Sequence, residues 1–238
     1  LSPEEIIKNS VAEITSREVY INNKPVINGL FDPRMGVLEP GLICPTDGYT
    51  YIDTPGYFGH INLARPVFAI QHIKEIVKVC KCICFKCSKL LMDKKKHKHI
   101  LNWESNERWS YVWSSASKIK RCGDNIEDGC GCKNPDRIKI DGMASILAVW
   151  DNVQTEDEDG NRKIEKRLNA EIILKIFKRI SDEDVHFMGW SPKFSRPEWL
   201  IYTVLPVAPP AMRPSVKHDA QQRSEDDLTH IYSNIIKT

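Results

Sequence analysis

Apolar residues recur at helical spacing in five places along this chain, and the stretches between them are broken by glycine and proline. Ile6, Ile7, Val11 and Ile14 follow Ser2, Pro3 and Glu5, a pattern that predicts an N-cap, a first-turn proline and a capping box at the start of a short helix. Ile70, Ile73, Ile76 and Val77 share one helix face. The next six residues, 79–84 (VCKCIC), alternate and predict a short strand with Cys80 and Cys82 on one side as ordinary core thiols. Trp109, Val112, Trp113, Ala116 and Ile119 predict an amphipathic helix whose aromatic stripe belongs to the core. Asn169 is placed to cap a helix bearing Ile172, Ile173, Ile176, Phe177 and Ile180, and Ser181 with Asp184 forms a second capping box. Ser224 with Asp227 predicts the cap of a last helix bearing Leu228, Ile231, Ile235 and Ile236.

Between these helices the pattern changes. Residues 22–57 are dense in Gly and Pro, which predicts an irregular region held by side chains. The run ILAVWDNV, the acidic EDEDGN and the charged NRKIEKRL predict a β-hairpin with a solvated tip. The segment SRPEWLIYTVLPVAPPAMRPS is apolar, and its prolines at 209, 210 and 214 forbid a continuous helix or central strand, so it is expected to be extended and packed. No internal repeat is visible. The pattern as a whole is α+β, with short helices and small antiparallel sheets.

Composition narrows the classes. A chain of 238 residues with 41% hydrophobic content has room for one large domain or two smaller ones. The net charge of +2 is too small to mark a nucleic-acid binder, so such contacts need local clustering. The longest apolar run falls short of the roughly 20 residues that span a bilayer, and LSPEEIIKNS has neither the basic start nor the apolar core of a signal peptide. The chain reads as soluble and intracellular, with no membrane partner. It opens on Leu1 and closes inside an amphipathic pattern, and is read as a segment of a longer polypeptide.

Seven of the eight cysteines fall between positions 80 and 132, in a chain too large to need disulfide staples. Cys84 and Cys87 form a C-x2-C knuckle, which supplies half of a tetrahedral zinc site. Cys122 with Cys130 or Cys132, in the glycine-rich GCGCKN, can supply the other half. Four thiolates make a closed, structural site. The run MDKKKHKHI gathers Lys94, Lys95, Lys96 and Lys98 with His97 and His99; with Lys118, Lys120 and Arg121 these are candidate phosphate contacts, although charge runs are usually solvated loops. His97 and His99 have no thiol or acidic neighbour in the run that would complete a metal site. Phosphate-loop, dinucleotide, serine-hydrolase and H-E-x-x-H motifs are all absent, and the acidic run TEDEDG reads as a solvated turn.

The residues LSPEEI, GLFDPRMG, PGYFGHINLARPVF, VCKCICFKCSKLLMD, EIILKIFKRIS, FSRPEWLIYTVLPVAPPAMRPSV and EDDLT, in that order, resemble the largest subunit of RNA polymerase II and its viral and archaeal relatives. The resemblance covers nearly the whole chain. It implies an irregular, zinc-stapled clamp: residues 1–72 and 198–238 as clamp core and 73–197 as clamp head. Such a clamp closes over template DNA and the RNA–DNA hybrid, without catalytic residues of its own. The magnesium-binding aspartate loop of the parent nucleotidyltransferase lies outside this segment, so magnesium is expected only in that enzyme. Partners implied are DNA, the RNA–DNA hybrid, and the second-largest and small polymerase subunits, in the nucleus, or in a virion or host cytoplasm for a viral enzyme.

By the same resemblance, the head zinc falls to Cys84, Cys87, Cys122 and Cys130, with Cys132 as the alternative. A second zinc of the family's clamp core maps onto Cys44, Asp47, Thr54 and Tyr57, where three ligands have been replaced. One thiolate and one carboxylate do not make a tetrahedral set, so a single structural zinc is expected. Packing of Tyr49, Tyr51 and Tyr57 is expected to recover part of the lost stability. The departure points to a diverged lineage, such as that of a large DNA virus. Two other classes compete. A free-standing zinc-binding interaction module typically has two interleaved sites, and a thiol oxidoreductase using Cys84 and Cys87 needs a thioredoxin-like βαβ unit.

Overall fold

The computed structural model describes residues 1–22, 24–142, 144–153, 162–218 and 223–238. It contains short helices and small antiparallel sheets, and it divides into two compact units. The first comprises Leu1–Ala64 and Thr203–Thr238, and the second Arg65–Tyr202.

In the first unit, α1 (Pro3–Lys8) starts as its sequence predicts: Ser2 Oγ accepts from the Glu5 amide at 3.0 Å and the Glu5 carboxylate accepts from the Ser2 amide at 2.8 Å. After it the chain runs beside the start of β3 (Gly59–Phe68), with the Ile14 amide bonded to His60 O at 2.8 Å and the His60 amide to Ala12 O at 3.0 Å. A two-residue hairpin, β1 (Tyr20–Ile21) with β2 (Lys24–Pro25), is the main regular structure of the glycine- and proline-rich region, as expected. The core here is Ala12, Ile14, Leu30, Phe31, Met35, Ile61 and Val207, the last from β7 (Ile201–Val207), the partner strand of β3.

The last helix, α6 (Asp227–Lys237), lays Tyr232 and Ile236 on that core. Its N-cap is Asp226, whose carboxylate accepts from the Leu228 amide at 3.1 Å, and not Ser224. Ser224 is already committed: its backbone pairs with Val216 in the small β8 (Val216–Lys217) and β9 (Arg223–Ser224) ladder, and its hydroxyl lies 2.7 Å from His218 Nε2. Leu228 and Ile231 remain exposed, so only part of the predicted stripe is buried.

In the second unit α2 (Ile73–Cys82) runs one turn further than the alternation of 79–84 suggested: residues 79–82 of the expected strand are helix, while Ile83 is extended and bridges Leu90. The burial face continues at Ile76, Val79 and Cys80, a helical i, i+3, i+4 series that replaces the period-two reading of the same letters. Cys80 and Cys82 are core thiols. Helix α3 (Ser105–Ala116) buries Val112 and Ala116 against α2. Its tryptophans are less buried than the pattern predicts: Trp109 packs edge-on to Trp190 at 5.8 Å and donates to Glu75, while Trp113 lies exposed under Lys78 Nζ.

A three-stranded antiparallel sheet follows, β4 (Arg137–Asp141), β5 (Ser145–Val153) and β6 (Arg162–Leu168), in the order 4-5-6. Ile138 faces Ala148 across the first pair, and Ile146 faces Leu168 across the second. The predicted hairpin is therefore formed, while its acidic tip lies outside the described residues. Helix α4 (Ala170–Phe177) is capped by Asn169, which accepts from the Ile172 amide at 2.9 Å, and α5 (Asp182–Phe187) by Ser181, which accepts from the Asp184 amide at 3.1 Å. Ile173, Phe177, Val185 and Met188 complete the core. Among the described residues no helix is long and apolar enough to cross a membrane.

Candidate metal centre

Two tight loops bring four sulfurs together. In the first, Ile83 and Leu90 form an antiparallel bridge, the Cys84 amide donates to Lys89 O at 2.9 Å and the Ser88 amide to Cys84 O at 2.9 Å. The turn closes through Ser88 at φ 61°, a left-handed conformation that small polar residues tolerate better than branched ones. In the second loop, Arg121 bridges Lys133, the Cys122 amide donates to Cys132 O at 3.0 Å and the Gly131 amide to Cys122 O at 2.8 Å. Glycine is required here, because a Cβ on Gly129 would lie 2.3 Å from the backbone of Gly123.

Cys84, Cys87, Cys122 and Cys130 place their Sγ atoms within 4.8 Å of one another. Cys84 and Cys130 are 3.5 Å apart and Cys87 and Cys122 are 3.7 Å apart, too long for a disulfide. Tetrahedral zinc with sulfurs at about 2.3 Å separates them by about 3.8 Å, so the residues fit that ion. Cys132 is outside the group and turns its thiol toward Lys133 O at 3.7 Å. Of the two candidates for the fourth ligand, the geometry gathers Cys130.

Packed together, the thiols ionise unequally. Burial pushes the Cys84 thiol far up and Cys122 up to about 11, whereas Cys130, facing the Cys132 amide, is lowered to about 7. A bound dication would favour the thiolate at all four positions. Lys89 lies close to Cys87 and Cys122 and pairs with Asp128 of the second loop.

One residue that the cysteine pattern did not reveal joins the two loops. Asn134, 3% exposed, accepts from the Phe85 amide at 3.2 Å and donates to Ile83 O at 2.9 Å, while its own amide donates to Lys120 O at 2.7 Å. Its only sequence mark is its place between the last cysteine and Pro135, which biases it toward an extended backbone.

The other mapped set lies in the first unit. Asp47 accepts from Thr54 Oγ1 at 2.7 Å, from Tyr57 OH at 3.1 Å and from the Tyr49 amide at 2.9 Å. Cys44 is buried, with its sulfur 4.0 Å from Arg34 O. Lost hydration pushes the Asp47 carboxyl up, but these bonds and one with Cys44 outweigh it and hold the group below the usual carboxylate range. This is a hydrogen-bonded carboxylate hub with a single thiol, and the donor set does not fit a tetrahedral zinc. The expected packing of Tyr49, Tyr51 and Tyr57 is not formed. Tyr49 and Tyr51 are exposed, and Tyr57 is the one of the three whose side chain joins the hub, through its hydroxyl.

The basic candidates separate into two kinds. Lys94 is tied to Glu183 at 3.0 Å and Asp184 at 2.8 Å, and Lys95 to Glu127 at 3.1 Å. Lys96 lies 3.7 Å from Asp93, Lys120 donates to Asp136 O at 2.9 Å and Arg121 to Gly131 O at 3.2 Å, while Lys118 is exposed with no carboxylate partner among the described residues.

A family model described as RNA polymerase Rpb1, domain 1, matches residues 1–238. The DNA-directed RNA polymerase II subunit RPB1 of Euplotoides octocarinatus is 38% identical over 247 residues, covering 100% of this chain and 51% of that relative. The chain spans about half the length of the curated relative it matches.

Proposed function

This chain belongs to the RNA polymerase Rpb1, domain 1, family, and on that premise we propose that it is the clamp segment of the largest subunit of a DNA-directed RNA polymerase. In this reading it closes over template DNA and the RNA–DNA hybrid and performs no catalysis itself, while the nucleotidyl-transfer chemistry and its magnesium belong to the rest of the subunit. We assign the clamp head to the second unit, Arg65–Tyr202, and the clamp core to the first; the two-unit division supports this reading, with its bounds at 65 and 202 where the resemblance implies 73 and 197. Partners are the nucleic acids, the second-largest subunit and small polymerase subunits, and the place of action is intracellular, the nucleus for a polymerase II.

The observation that carries this reading is the four-thiol cluster set within a chain matched end to end by the family. Cys84, Cys87, Cys122 and Cys130 hold one structural zinc that stiffens a loop-rich head. The ion supplies shape and no open coordination position, since four sulfurs complete it. A second reading, a free-standing zinc-binding interaction module, has no observation in its favour: the described residues contain one such cluster, and that module typically has two.

The test is an assembled polymerase carrying Cys122→Ser. Elongation complexes should dissociate faster in salt, while nucleotide addition by complexes that remain intact keeps its rate. Unchanged complex lifetime together with loss of nucleotide addition would reject the clamp assignment.

A further inference from the structure

We propose that Lys96, His97, Lys118 and Lys120, together with His99 and Trp103, form a binding surface for an unpaired stretch of nucleic acid, with phosphates in a basic groove and a base stacked on an exposed ring. The proposal deepens the clamp reading and rests on it for the supply of nucleic acid.

Two basic runs far apart in sequence converge here. A groove of about 500 Å³ is lined by Lys96, His97, Lys118 and Lys120, with Asp93 and Asp124 as its acidic members. Asp93 is already engaged: its carboxylate accepts from the Lys95 amide at 2.8 Å and the Lys96 amide at 3.4 Å, and lies 3.7 Å from Lys96 Nζ. Lys118 and the neighbouring Lys98 are exposed and meet no carboxylate among the described residues. Lys96 and Asp93 offset each other and Lys120 is held by Asp136 O at 2.9 Å, so among the described residues Lys118 is the lining cation left free for an anionic chain, with Lys98 exposed next to His97 in sequence.

An aromatic cluster adjoins it through His97. That ring lines the groove and sets Nδ1 3.1 Å from Tyr111 OH, with ring centroids 5.8 Å apart. Beyond it, Trp103 stands edge-on to Tyr111 at 5.3 Å and 72°, and to His99 at 5.8 Å and 71°. Trp103 keeps 40% of its surface exposed, and His99 is exposed as well. A tryptophan braced by two rings and left open is preorganised, so stacking on it costs little ordering. Every base offers a π-face when unpaired, and a duplex hides those faces and is gripped through its phosphates alone. An acidic peptide would use the lysines but not the rings, which is why a single strand fits the surface better.

Photo-crosslinking in the assembled polymerase tests this. Elongation complexes are built with 5-iodo-2′-deoxyuridine at successive paired and unpaired positions, and the crosslinked peptide is mapped. We expect an adduct in the peptide containing Trp103 from an unpaired position. Trp103→Ala should lower its yield about 5- to 150-fold, as the loss of one base–aromatic stack does, and Trp103→Phe should restore most of it. The surface change Lys118→Glu should lower the yield more at low salt than at high salt. Adducts from paired positions only would overturn the proposal, as would none at this surface or protection of it by an acidic protein segment. The lifetime of Cys122→Ser complexes reports on the clamp reading separately, so the two failures are distinguishable.

Discussion

Thr54 donates its hydroxyl to Asp47 at 2.7 Å, across a loop whose family resemblance calls for a metal ion. The bond belongs to a set of three, with Tyr57 OH and the Tyr49 amide, so one ionised carboxylate ties together the turn, the strand entry and the buried Cys44 side of residues 44–57. Hydrogen bonds thus hold the loop ends that zinc would otherwise hold. Because the folded carboxyl titrates below its unfolded value, its contribution is complete above the unfolded carboxylate range and is lost as pH falls through the lower, folded value. We expect amide exchange across 44–57 to speed up on acidification and in Asp47→Asn, and to be indifferent to chelators at neutral pH. Protection that collapses with chelator at pH 7 would show that a metal holds this loop instead.

Metal analysis of the pure protein should return one zinc per chain, bound by the four sulfurs of the second unit. Apparent binding free energies of about 10–16 kcal/mol for structural zinc are as large as the stability of a whole domain. Stripping the ion should therefore unravel the loops 84–90 and 120–134, with a large fall in the melting temperature. Two tightly held zinc ions would contradict the single-site reading, and so would none.

Much of this was legible in the sequence, and the misses have physical causes. Caps at Ser2, Asn169 and Ser181 were readable because a cap is a local hydrogen bond between residues three apart. The knuckle at Cys84 and Cys87 was readable because metal geometry fixes its spacing. The alternation of 79–84 misled at 79–82, because burial on both sides of Lys81 satisfies a period of two and of 3.6 alike, and α2, packed on α3 and β4, continues through Cys82. Spacing could not decide between Cys130 and Cys132, since the turn at Gly131 sets which sulfur points inward. Asn134 and the Asp47 hub are long-range hydrogen bonds, and nothing periodic announces those.

Asn134→Ala should loosen the centre without removing a ligand. It leaves the Phe85 amide and Ile83 O without their partner in a buried place, a cost of about 1–3 kcal/mol. Zinc transfer to a chromophoric chelator should become faster, with the stoichiometry unchanged. Transfer at the wild-type rate would mean that the two loops are held by the metal alone.

Arg213 is the largest fully buried side chain; Asp226 and Glu225 favour its charge from a distance, with no ion pair to it among the described residues. Its guanidinium donates to Ala208 O at 2.9 Å, to Thr229 Oγ1 at 3.2 Å and to Leu30 O, and lies over Phe31 at 5.0 Å and Tyr232 at 5.6 Å. Burial lowers its pKa to about 10, so it stays charged at neutral pH, held by carbonyl dipoles and ring faces. Lysine cannot reproduce three donors in one plane. Arg213→Lys should cost about 2–4 kcal/mol by denaturant titration, in line with hydrogen bonds to a charged donor lost from the interior. A change below about 0.5 kcal/mol, typical of surface sites, would show the network to be dispensable.

Thiol reactivity should follow access and ionisation in a fixed order. Cys80 and Cys82 lie in the core, where burial pushes the first far up and the second up to about 12, so neither offers thiolate at neutral pH. Cys130 is the exposed one of the four ligands, and once a chelator removes the ion it is the ligand thiol with the readiest access. With metal bound, iodoacetamide should spare all four ligands. With chelator present, Cys130 should be alkylated first and Cys122 later, while Cys80 and Cys82 react only when the second unit unfolds globally. Mass mapping of the modified peptides over time reads this order directly. Early modification of Cys80 in the native protein would show that the end of α2 opens, and would put the helix assignment of residues 79–82 in error.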